Sequence, residues 1–296
     1  MEERLHRHET APCMPFLKWP GGKRWIAEEI AGMVASHLHG TYYEPFLGGG
    51  AVFFRLVPPK VVLSDINGEL IRTYQTVCAS PSDLVAQLKR MQVSREAYER
   101  IRDDSPESDL GQAARFLYLN RTAYGGMYRL NRGGRFNVPF GGGGRTPAPL
   151  WERDLLARAS RALRHAELIV CDFEAAMARA GAGDVVYCDP AYALMHDRNG
   201  FIRYNESNFS WADQERLARA AKACSRRGAA VLVSNADHES IRELYPDAEM
   251  LSVQRTSRMS RDPKHRVTVK ECIFTLRPAR PRGSHNRASA SRGRVA

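Results

Sequence analysis

The chain has 296 residues, of which 43% are hydrophobic and 26% charged, as in a globular protein with a buried core. It contains no run of about 18 apolar residues, which argues against a membrane span, and its charged N-terminus lacks the apolar segment of a secretory signal. The formal net charge of +11 suggests a polyanionic partner, most often nucleic acid.

The distribution of charge is more informative than its sum. Residues 277–296 carry six arginines and no acid, so about half of the excess lies in a tail that could hold any polyanion loosely. Residues 111–150 also lack Asp and Glu, but there six arginines alternate with aromatic residues and glycines. Charge for phosphates and rings for bases predict a nucleic-acid surface over this stretch.

The six cysteines are scattered, without a CxxC pair or a Cys/His cluster at zinc spacing. We therefore expect reduced thiols in a cytoplasmic protein and no metal site.

Residues 14–79, after a flexible N-terminus at 1–13, are predicted to form the first part of an α/β core. Because strands and helices alternate, they predict a parallel sheet. The predicted elements are a helix at 24–36, a strand at 42–44, a helix at 50–56, a strand at 61–64 and a helix at 67–79.

An insert at 80–154 interrupts this pattern. It begins with a helical period, continues into the acid-free stretch and includes a predicted glycine loop at 141–144. The α/β pattern returns at 155–277, before a disordered tail at 278–296. Its predicted strands are 167–171, 185–188, 229–233 and 272–276, and its predicted helices are 173–180, 211–225 and 239–245.

A glycine-rich turn follows the first predicted strand, in Tyr-Glu-Pro-Phe-Leu-Gly-Gly-Gly at 43–50. Glu44 ends that strand, and Asp65 ends the next one, where an acid typically binds ribose hydroxyls. The turn is neither G-x-G-x-x-G nor a P-loop, so it favours an adenosyl ligand without a pyrophosphate; a tight turn without ligand is the alternative. Upstream, Trp19 and Lys23 can cover and charge-match a ligand carboxylate.

Asp189-Pro190 follows the predicted strand at 185–188. A carboxylate and a backbone carbonyl there are two fixed acceptors at the ligand-binding edge of a sheet, because Pro190 has a locked φ and no N–H. Two such acceptors suit two N–H donors on one nitrogen, and Tyr192 can stack on a flat substrate. An Asp-Pro turn without chemistry is the alternative.

Six motifs together resemble the Dam-type (D12 class) DNA adenine-N6 methyltransferases over about 16–277. The resemblance implies a Rossmann-like methyltransferase sheet with helices on both faces, and a mainly helical target-recognition insert with a basic loop or hairpin. The motifs are FLKWPGGK at 16–23, YEPFLGGGAVF at 43–53, LSDINGEL at 63–70, FLYLNRTAYGGMYRLNRGGRFNVPFG at 116–141, VVYCDPAY at 185–192 and LVSNADH at 232–238.

This resemblance implies transfer of a methyl group from S-adenosylmethionine to adenine N6 in double-stranded DNA, typically within GATC, by base flipping and without an obligate protein partner. The implied catalytic residues are Asp189, Pro190 and Tyr192. The implied cofactor residues are Trp19, Lys23, Glu44, Phe46, Gly48, Gly50, Asp65, Asp172, Phe173 and Asp189. The implied DNA-binding residues are Lys18, Tyr124, Met127, Arg129 and Pro139.

Three positions depart from the family pattern. Ala191 stands where most relatives have proline, Gly125 where many have asparagine, and Gly142 in a loop that is often basic. The first leaves open a DNA-binding protein that has lost the chemistry. A methyltransferase of RNA or of a protein amide is a further alternative, against which the arginine-rich insert argues.

Overall fold

The computed structural model describes residues 12–131, 133–142, 153–192, 209–256 and 268–278. Predictions for 1–11, for the end of the glycine loop and for the tail from 279 fall outside them. The strands are β1 (Tyr42–Glu44), β2 (Val61–Asp65), β3 (Ala166–Val170), β4 (Val185–Cys188), β5 (Ala230–Ala236), β6 (Glu249–Thr256) and β7 (Thr268–Leu276). The helices are α1 (Ala27–Ala35), α2 (Ala51–Leu56), α3 (Gly68–Ala79), α4 (Pro81–Arg90), α5 (Arg95–Asp103), α6 (Asp109–Thr122), α7 (Arg153–Leu163), α8 (Phe173–Ala178), α9 (Trp211–Arg226) and α10 (Glu239–Leu244).

The seven strands form one sheet in the order β3-β2-β1-β4-β5-β7-β6. Strands β1 to β5 are parallel, as predicted, whereas β7 runs antiparallel to both β5 and β6. The sequence did not predict β6. The strand order reverses between β1 and β4, and ligands of open α/β sheets bind at the carboxyl ends of the strands beside such a switch point.

Helices cover both faces of the sheet, which confirms the predicted fold class. Successive side chains of a strand point to opposite faces, and Tyr42 and Tyr43 of β1 accordingly belong to two separate clusters of buried side chains. The first cluster includes Tyr74 of α3 and Tyr118 of α6, and the second includes Leu217 of α9. The helical insert therefore shares a core with one face of the sheet. No helix within the described ranges is long and apolar enough to cross a membrane.

The first third of the acid-free stretch is buried core, which corrects the predicted nucleic-acid surface there. Helix α6 begins after the Ser108 cap and buries Tyr118 and most of its other aromatic and aliphatic side chains. Arg115 of α6 donates hydrogen bonds to the carbonyls of Ile101 and Arg102 in the last turn of α5, and these bonds join the two helices. The prediction was wrong there because it used the composition of the segment and not its helical periodicity.

We expect Arg115→Ala to lower the free energy of unfolding by about 1–3 kcal/mol, because two carbonyls lose a charged donor. Urea denaturation measures the change. Arg135→Ala, at an exposed position of the same acid-free stretch, is the control and should leave the midpoint unchanged. Equal effects of the two substitutions would contradict a structural role for Arg115.

Candidate active site

Three acidic residues lie at the carboxyl ends of neighbouring strands. Glu44 ends β1, Asp65 ends β2 and Asp189 follows β4, and β1 lies between the other two strands. The sequence predicted each acid at a strand end. The sheet order now brings all three to one side of the switch point.

The glycine turn after β1 is held from two sides. Gly48 and Gly50 have φ values of 46° and 63°, in the left-handed region that favours glycine. The Gly48 N–H donates to Asp65 Oδ2 at 3.1 Å, and the Tyr74 hydroxyl donates to the Gly48 carbonyl at 3.0 Å. A Cβ at Gly48 would lie 2.7 Å from Trp19 Nε1, so the indole rests directly on this turn.

The helical insert holds the segment that carries Trp19. The Lys18 N–H donates to Asn120 Oδ1 at 2.9 Å, and Asn120 Nδ2 donates back to the Lys18 carbonyl at 2.7 Å. The Trp19 and Tyr128 rings stack with centroids 5.8 Å apart, and the Tyr128 hydroxyl donates to Glu69 Oε2. The indole is therefore fixed between the glycine turn and the insert.

A buried lysine joins this segment to the Asp189 carboxylate. Lys23, only 4% exposed, donates from Nζ to Asp189 Oδ1 at 2.6 Å and to the Gly21 carbonyl at 3.1 Å. The same ammonium lies 3.6 Å from Glu271 Oε2 and 5.0 Å from the centre of the Tyr192 ring. Glu271 belongs to β7 and was not predicted as a site residue.

The segment from Asp189 to Tyr192 is anchored beyond its first residue. Pro190 is buried, the Ala191 carbonyl accepts a long hydrogen bond of 3.4 Å from Gln214 Nε2, and the Tyr192 hydroxyl donates to Glu271 Oε2 at 3.0 Å. Gln214 lies on α9 and is fully buried. Sequence analysis missed it, although an amide among the apolar positions of a helix is a recognisable sign of a buried polar contact.

Glu44 is buried and links β1 to α2. Its Oε2 accepts from the Tyr42 hydroxyl at 2.8 Å and from the Phe53 N–H at 3.1 Å. Burial raises the pKa of Glu44 to about 8; the hydrogen bond from Tyr42 opposes the shift, and the charge of Asp189 adds to it. Burial likewise raises the pKa of Asp65, against the hydrogen bonds from the Asn67 and Gly48 N–H groups.

Aromatic side chains that follow β1 and β3 pack against each other. Phe46 and Phe173 stack with centroids 5.3 Å apart, and the guanidinium of Arg216 lies 4.8 Å above the Phe173 ring. Arg216 also donates to Asp172 Oδ1 at 2.9 Å, which orients that carboxylate. Ile66, directly after Asp65, is 73% exposed. Arg216 and Ile66 were not predicted as site residues, although an isoleucine directly after a strand-ending acid is an indication that the sequence offers.

The described residues 123–131 and 133–140 form an antiparallel ribbon, with bridges between Ala123 and Phe140 and between Leu130 and Phe136. The ribbon places the Tyr124 N–H on the Pro139 carbonyl at 2.9 Å, and Arg129 Nε on Asn137 Oδ1 at 2.7 Å. Four of the five predicted DNA-binding residues therefore lie on this ribbon. The fifth, Lys18, packs beside it, so closely that a Cβ at Gly126 would lie only 2.9 Å from Lys18 Cβ. The five residues are Lys18, Tyr124, Met127, Arg129 and Pro139.

The site residues fit S-adenosylmethionine by their chemistry. Asp65 offers carboxylate acceptors for ribose hydroxyls, and Phe46 and Ile66 offer apolar surface for an adenine ring. Phe173, predicted to flank that ring, is only 5% exposed and supports Phe46 from the core. The half-buried Trp19 indole beside the glycine turn is a π-system of the kind that attracts a sulfonium cation.

The raised pKa of Glu44 predicts a pH-dependent stability. Between pH 4.5 and about 8 the folded protein keeps a proton that the unfolded chain loses. The free energy of unfolding should therefore be highest below the lower value and fall as pH rises to the upper one, with a limiting slope of about 1.4 kcal/mol per pH unit. Glu44→Gln should remove the part of this decline that Glu44 causes and so make the profile flatter than that of wild type.

Urea unfolding of both proteins from about pH 5 to about pH 9 measures the difference. Glu249→Gln, which changes an exposed carboxylate paired with Arg277, is the control and should keep the wild-type profile. Parallel profiles for wild type and Glu44→Gln would show that Glu44 does not carry the proton.

Comparisons with known proteins identify the family. The model of the D12 class N6 adenine-specific DNA methyltransferases matches residues 19–259. The DNA adenine methylase of Vibrio cholerae is 35% identical over 272 residues, covering 89% of this chain and 96% of that protein. The type II methyltransferase M1.LlaDCHI of Lactococcus lactis subsp. cremoris is 33% identical over 272 residues, 88% and 94% of the two chains. The DNA adenine methylase of Escherichia coli K12 is 32% identical over 271 residues, 89% and 95%. The chain therefore belongs to the D12 class of N6 adenine-specific DNA methyltransferases, whose methyl donor is S-adenosylmethionine.

Proposed function

We propose that this chain methylates N6 of adenine within GATC in double-stranded DNA, acting on a base that has left the helix. The observation that carries the proposal is the Asp189 carboxylate at the end of β4, paired with the buried Lys23 and adjacent to the Pro190 carbonyl. The family and its methyl donor support the reaction type. The resemblance of the recognition segment to Dam-type enzymes supports the target sequence.

The acceptor nitrogen has two hydrogens, and this site offers two acceptors. A base inside a duplex cannot reach a pocket at a sheet edge, so the adenine must be flipped out. Asp189 and the Pro190 carbonyl would then accept the two N6 hydrogens and orient the nitrogen lone pair. The Tyr192 ring would stack on the flipped base.

Bound S-adenosylmethionine supplies the electrophilic methyl group. The protein holds the two reactants in line, which accounts for much of the rate of such a transfer. The new bond from N6 to the methyl carbon would form as the methyl–sulfur bond breaks and the neutral thioether leaves. N6 would then lose one N–H proton, which Asp189 would accept. Lys23 keeps the Asp189 carboxylate oriented during this exchange.

The ribbon at 123–140 would read the DNA. Arg129 donates from Nε and Nη2 to Asn137, which leaves the outer N–H groups on Nη1 and Nη2 for a bidentate contact with guanine O6 and N7. Tyr124 is 47% exposed and is suited to insertion into the space that the flipped base leaves. Lys18 beside the ribbon would contact phosphate.

Asp189→Asn should lower the methylation rate by about 100-fold or more, because the amide keeps the shape of the carboxylate but neither its charge nor its ability to take a proton. Transfer of labelled methyl from S-adenosylmethionine to a GATC duplex, followed by digestion with methylation-sensitive nucleases, measures rate and site together. Asp184→Asn, at the carboxylate that accepts hydrogen bonds from the Thr41 and Gly181 N–H groups at the opposite end of β4, is the control and should stay active. Methylation of duplexes that lack GATC, with none on GATC, would refute the target sequence.

Arg129→Ala should relax discrimination at one base pair by about 1–3 kcal/mol, because one bidentate guanine contact is lost. Competition between the GATC duplex and duplexes with single substitutions measures this. Arg135→Ala on the same ribbon is the matched control and should weaken all duplexes alike, if at all. Equal weakening of all duplexes by Arg129→Ala would identify Arg129 as a phosphate contact instead.

A further inference from the structure

A carboxylate that the reaction described above does not use lies next to its machinery. Glu271 of β7 is 2% exposed and pairs in register with Ala236 near the end of β5. Burying a carboxylate costs several kcal/mol unless charged and hydrogen-bonding partners compensate. A buried carboxylate directly before the apolar run Cys272–Phe274 of β7 therefore calls for a specific role.

Two of its contacts lead directly to the proposed catalytic groups. Glu271 Oε2 accepts the hydrogen bond of the Tyr192 hydroxyl at 3.0 Å and lies 3.6 Å from Lys23 Nζ. The same ammonium is 2.6 Å from Asp189 Oδ1. One lysine thus faces two carboxylates, and the Tyr192 ring lies next to that lysine.

We propose that Glu271 is a positioning residue for methyl transfer, an inference that rests on the proposed function. It fixes the Tyr192 ring in the orientation that stacks on the flipped base. Glu271 also attracts the Lys23 ammonium, which therefore interacts less strongly with Asp189 than it would with Asp189 alone. Asp189 can then still accept hydrogen bonds from N6.

The tether matters because of the residue before Tyr192. A proline at 191 would restrict the backbone of the preceding residue, Pro190, whereas Ala191 leaves Pro190 freer. A tyrosine ring whose hydroxyl is bonded to a buried carboxylate cannot swing away without breaking a charge-assisted hydrogen bond. Glu271 therefore supplies from β7 an order that the motif itself does not enforce.

The test compares Glu271→Gln, Glu271→Asp, Tyr192→Phe and the double variant Glu271→Gln/Tyr192→Phe in single-turnover methylation at saturating cofactor and DNA. Glu271→Gln keeps the shape but loses the charge, and we expect about a tenfold lower rate constant with cofactor affinity changed by less than about threefold. Glu271→Asp should lie between wild type and Gln. Because the two groups act as a unit, the double variant should be no slower than the slower single variant.

A second readout does not depend on methyl transfer. A duplex with 2-aminopurine at the target adenine reports stacking on the Tyr192 ring through its fluorescence lifetime before any methyl donor is added. Glu271→Gln and Tyr192→Phe should both lengthen the mean lifetime of the complex, whereas Asp184→Asn, which changes a hydrogen-bonded carboxylate at the opposite end of β4, should not.

The inference is overturned if wild type methylates DNA but Glu271→Gln keeps its rate within about twofold, or if the effects of the two substitutions multiply in the double variant. An unchanged lifetime in folded Glu271→Gln overturns it as well. Failure of the proposed function is distinct, since wild type itself would then leave adenine in DNA unmethylated.

Discussion

The buried ion pair between Lys23 and Asp189 holds together the parts of the chain that form the site. The two residues are 166 positions apart, one before α1 and the other after β4. Removing both charges from water is costly, so the pair persists only because further groups surround it. The Gly21 carbonyl and Glu271 provide those contacts on the lysine side. The pair thereby fixes where the N-terminal segment crosses the edge of the sheet.

The hydrogen bonds that anchor residues 189–192 also determine how much the alanine at position 191 matters. Proline at a compatible site stabilises by about 0.4–1 kcal/mol, through restriction of the unfolded chain. Each ordinary hydrogen bond contributes about 0.5–1.5 kcal/mol, and the bond from Gln214 to the Ala191 carbonyl, long at 3.4 Å, belongs at the low end. The bonds of Asp189 and Tyr192 to charged partners are stronger. External anchoring therefore equals or exceeds what the proline would add, which favours an ordered, active motif over a protein that only binds DNA.

Local pattern in the sequence predicted the strands that end in Glu44, Asp65 and Asp189, because apolar runs followed by acids and glycines have few other interpretations. It failed where a residue's role depends on which strands become neighbours. Glu271 reads as an ordinary charged residue in Val-Lys-Glu-Cys-Ile until β7 is seen to pair with β5. The surface predicted around Arg115 failed for a related reason. Arginine composition cannot distinguish a guanidinium that faces phosphate from one that binds the carbonyls of an adjacent helix.

The ribbon that we propose reads DNA is mechanically linked to the Trp19 segment that we propose covers the cofactor. Asn120 exchanges two hydrogen bonds with the Lys18 backbone, and Tyr128, next to Arg129, stacks on Trp19. If DNA moves the ribbon, either the indole follows or the stack breaks, and such an aromatic pair is worth about 0.5–1.5 kcal/mol. If the ribbon favours one position of Trp19, binding of DNA and binding of the cofactor are coupled. Because such coupling is reciprocal, the cofactor must change the affinity for DNA by the same factor by which DNA changes the affinity for the cofactor.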